Sequence, residues 1–211
     1  MKQNSKYSIP FFSLFLIIFL YQCSPRKAIL SELLEKNPST TSFTLNHKRI
    51  QDSLSQLGDY SSIEELTLNY DALDSIPSEF GNLVRLRKLS LYGNSLSYLP
   101  DSFSNLIQLE SLVLGKNNFT EIPPSIQRLP RLKYLSIDQN RIQLTESDID
   151  ILSELPAIEY IDISENPEIL ETPSNISKLD GIKTILLKKT KLTHDEREKM
   201  LKALPNSRLV N

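Results

Sequence analysis

The chain is poor in the residues that most often carry chemistry. Its 211 residues include one cysteine, Cys23, which excludes an intramolecular disulfide and a cysteine-based metal cage. Its two histidines, His47 and His194, fall toward opposite ends of the chain, and no H-x-x-x-H or C-x-x-C spacing occurs. Five glycines leave little room for a phosphate-cradling loop. Basic and acidic residues nearly balance, at 24 and 26; without Lys2 and Lys6 of the N-terminal apolar segment the balance is 22 to 26. That composition provides no basic face for a nucleic acid. Carboxylates such as Glu64-Glu65, or Asp148 with Asp150, read as solvated faces, with no sign of the deep cleft that paired-carboxylate hydrolysis needs. No catalytic set, metal or cofactor is expected.

What the chain does have is a period. Leu66-Thr67-Leu68 recurs as Leu89-Ser90-Leu91, Leu112-Val113-Leu114 and Leu135-Ser136-Ile137, each 23 residues after the last. It continues as Ile161-Asp162-Ile163 and Ile185-Leu186-Leu187, after steps of 26 and 24. The alternation within each unit is that of a half-buried strand. A few residues on stands Asn94, Asn117, Asn140 or Asn166, with Asp71 in the earlier unit. A side-chain amide donates and accepts, so stacked asparagines can satisfy the backbone where it turns out of the strand. Another apolar residue follows (Leu73, Leu96, Phe119, Ile142, Ile169), then Ile76-Pro77, Leu99-Pro100, Ile122-Pro123 and Thr172-Pro173. Proline lacks the N–H and fixes φ, so extended structure ends at the same point of each coil. Phe80 and Leu83, Phe103 and Leu106, and Ile126 and Leu129 then show the i, i+3 spacing of a short helical turn.

The combined pattern, L-x-x-L-x-L-x-x-N-x-L-x-x-[LI]-P-x-x-[FI]-x-x-L, resembles the leucine-rich repeat family, most closely its 23-residue "LP" variety. The resemblance covers residues 40–192, about seven repeats. It implies an α/β solenoid, a horseshoe with a parallel sheet on its concave side, short helical or 3-10 turns on its convex side and helical caps. It also implies a binding surface and no enzyme. The first unit, Phe43-Thr44-Leu45 with Ile50, has Lys48 where asparagine belongs, and the last has Thr190 there. Both read as capping units, because a terminal repeat faces solvent on one side. In the fifth unit extra residues, with Thr145 or Ser147 as cap and Ile149, Leu152 and Leu155 on one face, predict a longer convex helix. Residues 193–211 read as a C-terminal cap: a capping box of Thr193 and Glu196 opens a helix to about Leu204 that buries Met200, Leu201 and Leu204. Pro205 stops it, and Arg208-Leu209-Val210 can add a last strand.

Residues 1–22 read as a signal peptide, with Lys2 and Lys6 before an apolar run over 9–21 that is short for a bilayer span. Leu20-Tyr21-Gln22-Cys23 resembles the lipobox of bacterial lipoproteins, although Gln22 stands where that family has a small residue. The resemblance implies lipidation at Cys23 and membrane attachment through its acyl chains. Residues 23–39 then read as a lipidated tether and an N-terminal capping helix, with Ile29, Leu30, Leu33 and Leu34 expected toward the first repeat.

The residues between and after the inward leucines point out from the sheet. The candidate partner-binding set is Glu65, Thr67, Asn69, Tyr70, Lys88, Ser90, Tyr92, Val113, Lys116, Tyr134, Ser136, Asp138, Tyr160, Asp162, Ser164, Leu186 and Lys188. Tyr134 and Tyr160 are expected as neighbours in one column, beside exposed Asp138 and Asp162. The expected function is a monomeric, non-catalytic protein-binding lipoprotein on the bacterial outer membrane or cell surface. The alternatives are an intracellular repeat scaffold, a secreted form, and a structural or self-associating envelope protein.

Overall fold

A computed structural model of the chain describes residues 41–45 and 50–210. The signal peptide, Cys23, the capping helix within 23–39, His47 and Lys48 lie outside these residues. Eight parallel strands form one sheet in sequential order: β1 (Ser42–Thr44), β2 (Glu65–Thr67), β3 (Lys88–Ser90), β4 (Ser111–Val113), β5 (Tyr134–Ser136), β6 (Tyr160–Asp162), β7 (Thr184–Leu186) and β8 (Arg208–Val210). Each strand pairs in register with the next, so Leu66, Leu89, Leu112, Leu135, Ile161 and Ile185 form one buried column. Leu68, Leu91, Leu114, Ile137, Ile163 and Leu187 form a second. Phe43 and Leu209, in the terminal strands, are only partly buried, as unshared ends require.

The asparagines behave as their chemistry predicts. Asn117 Oδ1 accepts the Leu96 N–H at 3.0 Å, and its Nδ2 donates to the carbonyls of Leu91 and Leu114 at 3.0 and 2.9 Å. Asn94, Asn140 and Asn166 repeat the arrangement. After the prolines come 3-10 turns at Ser78–Asn82, Asp101–Asn105, Pro124–Ile126 and Ile176–Leu179; the first three pack in succession, and the fourth packs between the helices at residues 146–153 and 194–203. The first unit adds a nine-residue 3-10 helix, Gln51–Asp59, that buries Leu54 and Leu57.

Thr145 caps the fifth-unit helix, Glu146–Ser153, and Ile149, Leu152 and Leu155 are buried. Asp148 is not a solvated carboxylate as its sequence context suggested: it is 1% exposed. Its Oδ1 accepts the Ile122 N–H of the preceding repeat at 2.6 Å, and its Oδ2 accepts the Thr145 N–H and Oγ1–H at 2.7 Å. The C-terminal helix, His194–Ala203, needs two corrections. Thr193 Oγ1 accepts the Glu196 N–H, but the Glu196 carboxylate accepts the Thr172 N–H at 2.7 Å rather than closing a capping box. Met200 and Leu204 are buried, whereas Leu201 is 44% exposed, because it sits one residue, about 100°, off the i, i+4 line that faces the stack. Asn206 then donates to Asp180 from its backbone N–H and its amide, at 2.9 and 2.7 Å, and leads the chain into β8.

One residue before each of β2–β7 runs a ladder of alternating charge: Glu64, Arg87, Glu110, Lys133, Glu159, Lys183. Arg87 lies 2.9 Å and Lys133 3.6 Å from Glu110, and Lys183 lies 2.8 Å from Glu159. The hydrogen bond from Arg87 holds the Glu110 carboxyl below its ordinary range, and that from Lys183 does the same for Glu159. A pKa lowered on folding contributes stability above the unfolded value, about 4.3 for glutamate, and that contribution fades as pH falls through the folded value. The melting temperature is therefore expected to drop below about pH 4.3. The drop should shrink in Glu110→Gln and in high salt, which screens exposed pairs. A melting temperature flat from pH 6 to pH 3 would show the ladder to be inert.

Candidate binding face

Three columns of side chains cross the open face of the sheet. Strand register places Ser42, Glu65, Lys88, Ser111, Tyr134, Tyr160, Thr184 and Arg208 in the first. The second holds Thr44, Thr67, Ser90, Val113, Ser136, Asp162, Leu186 and Val210. Two residues beyond each of β2–β7, Asn69, Tyr92, Gly115, Asp138, Ser164 and Lys188 make the third.

The next residue in each unit forms the corner. Tyr70, Lys116, Gln139, Glu165 and Lys189 adopt left-handed backbone with φ of 53–58°, a conformation that costs a non-glycine residue about 1–2 kcal/mol. In the remaining unit Gly93 occupies the corner at φ 72°. The corner N–H groups continue the ladder beyond the strands; Lys116, for instance, donates to the Asp138 carbonyl at 2.8 Å. Gly93 also makes room for Tyr70, whose ring a Cβ there would meet at 2.5 Å. Tyr70 stands edge-on to Tyr92, with centroids 5.5 Å apart, and the Lys116 ammonium lies 5.1 Å from the Tyr70 ring. Tyr70 and Lys116 therefore flank the strand face from the corners.

The two halves of the face differ in relief. Over β1–β4 the short side chains of Ser42, Thr44, Thr67, Ser90 and Ser111 leave a hollow of about 230 Å³. Over β5 and β6 the surface rises. Tyr134 and Tyr160 stack in parallel, with centroids 4.6 Å apart and planes 9° apart. A Cβ on Gly115 would come within 2.9 Å of the Tyr92 ring, so the missing side chain lets Tyr92 and Asp138 close over bare backbone. Ser136 donates to Asp138 Oδ1 at 2.5 Å, and Gln139 Nε2 donates at 3.0 Å to both Asp138 Oδ2 and the Tyr92 hydroxyl. Asp162 Oδ1 accepts the Ser164 N–H at 2.9 Å. Burial, then Asp162 and Asp138, raise the Tyr134 hydroxyl pKa above its ordinary value; Tyr160 and Tyr92 are also raised, mainly by burial.

The predicted residues thus separate. Tyr92, Tyr134, Asp138, Tyr160 and Asp162 gather at the centre. Glu65 and Lys88 pair with each other at 2.7 Å nearer the N-terminal end, and Leu186 and Lys188 sit at the far end. Ser136 and Ser164, 4% and 8% exposed, offer little surface. Asn69 is held by hydrogen bonds from Ser90 Oγ and the Tyr92 N–H. Sequence reasoning left out of the site Ser42, Thr44, Arg208 and Val210, which the terminal strands bring onto the face; the 24-residue step from Ile185 to Leu209 was the available signal.

Eight strands at ~4.8 Å spacing and ~10 Å of width present roughly 340 Å², less than half of the ~800 Å² that one partner gives to a standard interface. The corners are needed to enlarge it. Off this face, residues 143–146 and 168–174 border a groove of about 650 Å³ that has three glutamates and no basic side chain. Among the described residues no three His, Cys, Asp or Glu side chains are grouped to hold a metal.

A family profile described as a leucine-rich repeat region matches residues 41–210. Among solved structures, the Leptospira interrogans LRR protein LIC12759 is similar at 27% identity and a TM-score of 0.66, covering 74% of this chain and 39% of that one. A chain of the PEPR1–AtPEP1 crystal structure is similar at 25% identity and a TM-score of 0.58, covering 74% of this chain and 22% of that one. This chain therefore spans well under half the length of either. None of the curated proteins compared with it matches significantly.

Proposed function

The chain belongs to the leucine-rich repeat family, and from that premise we propose that it is a non-catalytic module that binds a protein ligand on its open, concave sheet face. The family's fold commonly serves protein binding. The observation that carries the reading is the Tyr92, Tyr134 and Tyr160 surface, raised over a sheet whose inward side chains share one buried core with the helical turns. Tyrosine offers large, stiff, amphipathic area at low entropic cost, which suits an interface hot spot.

We propose further that the module is displayed on a bacterial envelope as a lipoprotein. This reading rests on the apolar segment 9–21 and on Cys23. Among the described residues no helix is long and apolar enough to cross a membrane; on this reading attachment comes from acyl chains at Cys23. Metabolic labelling with a clickable palmitate analogue should mark the wild type and not Cys23→Ala; equal labelling, or none, would count against it.

Binding is tested with a photo-crosslinking residue placed in the native cell at Ser111 on the face, or at Val84, which is exposed on another surface. A discrete adduct is expected from position 111 and not from 84. Replacing Tyr92, Tyr134 and Tyr160 together by alanine should abolish that adduct without changing its parent's thermal unfolding by more than a few degrees. An adduct that survives the triple change would move the binding site off this face.

A further inference from the structure

Resting on the reading of the open face as a protein-binding surface, we propose that its ligand is a basic segment whose arginine seats between Asp138 and Asp162, against the Tyr134–Tyr160 pair. Neither carboxylate forms an ion pair among the described residues, whereas Glu65 on the same face is neutralised by Lys88. Ser136 and Gln139 fix Asp138 in place, each donating to one oxygen and leaving lone pairs free. Asp162 is held only through Oδ1, by the Ser164 N–H, so its second oxygen is available. Asp162 lies on β6 opposite Ser136 and Asp138 two residues beyond it, so one strand spacing of ~4.8 Å and two residues of ~3.3 Å set them about 8 Å apart at the backbone.

That spacing and the aromatic neighbours select among cations. A guanidinium is planar, carries five N–H donors and can bridge two carboxylates while lying against an aromatic ring. Lysine's ammonium is a compact, strongly hydrated point charge without the planar fork, so it loses more hydration and gains less directional bonding there. A metal ion would lack donors, because among the described residues no third His, Cys, Asp or Glu side chain joins the pair. Both carboxylates also act on the Tyr134 and Tyr160 hydroxyls, as their place beside that pair requires. At the far end of the face Lys188 and Arg208 are exposed, so the charge changes sign along the sheet and orients a ligand as well as holding it.

The test is selection of random twelve-residue peptides displayed on phage against the immobilised full chain. Enriched peptides are expected to share an arginine. Replacing it by neutral, isosteric citrulline should weaken binding about tenfold or more, and so should the Asp138→Asn, Asp162→Asn double variant, whose melting temperature is followed in parallel. Binders without a basic residue that are lost in Tyr134→Ala would overturn the arginine site and keep the binding face. Binders indifferent to every substitution on the face would overturn both. A selection with no enrichment over the uncoated support also counts against the proposal.

Discussion

Replacing Asn140 with alanine is expected to lower the unfolding free energy by about 3 kcal/mol or more. The side chain is buried between two repeats. Its Oδ1 accepts the Phe119 N–H at 3.0 Å, and its Nδ2 donates to the carbonyls of Leu114, Ile137 and Asp138 at 3.1, 3.1 and 2.9 Å. Alanine strips all of these at once, and each buried group left unpaired costs about 1–3 kcal/mol. Aspartate is no remedy: it still accepts from Phe119 but turns a carboxylate toward the carbonyls. Asn94 has the same place in an earlier unit but is only half-buried, so water can replace part of what its truncation removes, and the loss should be smaller. Denaturant unfolding of the two variants measures the difference; equal losses would mean that burial does not set the cost. Because each repeat touches only its neighbours, the break should appear as early loss of protection around residues 119 and 140 in hydrogen exchange. Asn140 also adjoins the Gln139 corner, which links Asp138 to Tyr92, so ligand binding should fail before the array unfolds.

Asp148→Ala is the second substitution with a large expected cost, about 2–4 kcal/mol. It removes the acceptor for two backbone N–H groups, those of Ile122 and Thr145, in a place where water does not reach. Asp148→Asn keeps one acceptor oxygen but turns an NH₂ toward the other N–H, so its cost should be intermediate. Thr145→Ala alone should cost about 1 kcal/mol, as cap residues do. Combined with Asp148→Ala it should add little, because the two side chains bond to each other. Full additivity in a double-mutant cycle would refute the coupling. The local readout is the Ile122 amide, whose exchange should accelerate in Asp148→Ala far more than that of the Leu96 amide, which depends on Asn117.

Much of this protein was readable because its information is periodic. A leucine every second residue and an asparagine a few residues on have local meanings, and repetition at 23 residues turns each local meaning into a column. The inward leucines, the asparagine ladder and the post-proline turns follow directly. The alternating charge ladder from Glu64 to Lys183 was equally present in the sequence, but it shows only when one fixed position is read down the repeats. Asp148 was misread because a carboxylate between Ser147 and Ile149 resembles any solvated first-turn acid; the N–H that buries it belongs to Ile122, 26 residues earlier. Glu196 likewise looked like a local capping partner, and its acceptor went to Thr172, 24 residues earlier. Leu201 followed the apolar pattern of its helix, yet a ten-residue helix against one end of a stack has room for only a narrow buried line.

By itself, then, the sequence determined the repeat, its strand register, its core and the columns in which outward residues stand, because each of these depends on spacing along the chain. Tertiary structure decided what occurs between columns. It stacked Tyr134 on Tyr160, closed Tyr92 and Asp138 over Gly115, left Asp138 and Asp162 without a cation and neutralised Glu65 with Lys88. It also bent Tyr70, Lys116 and Gln139 into left-handed corners that no residue type other than Gly93 announced. The physical reason is one of range: periodicity assigns a side chain to a face, whereas its charge partner, its burial and the tilt of its ring are set by neighbours one repeat away, whose distances appear only once the coils are stacked.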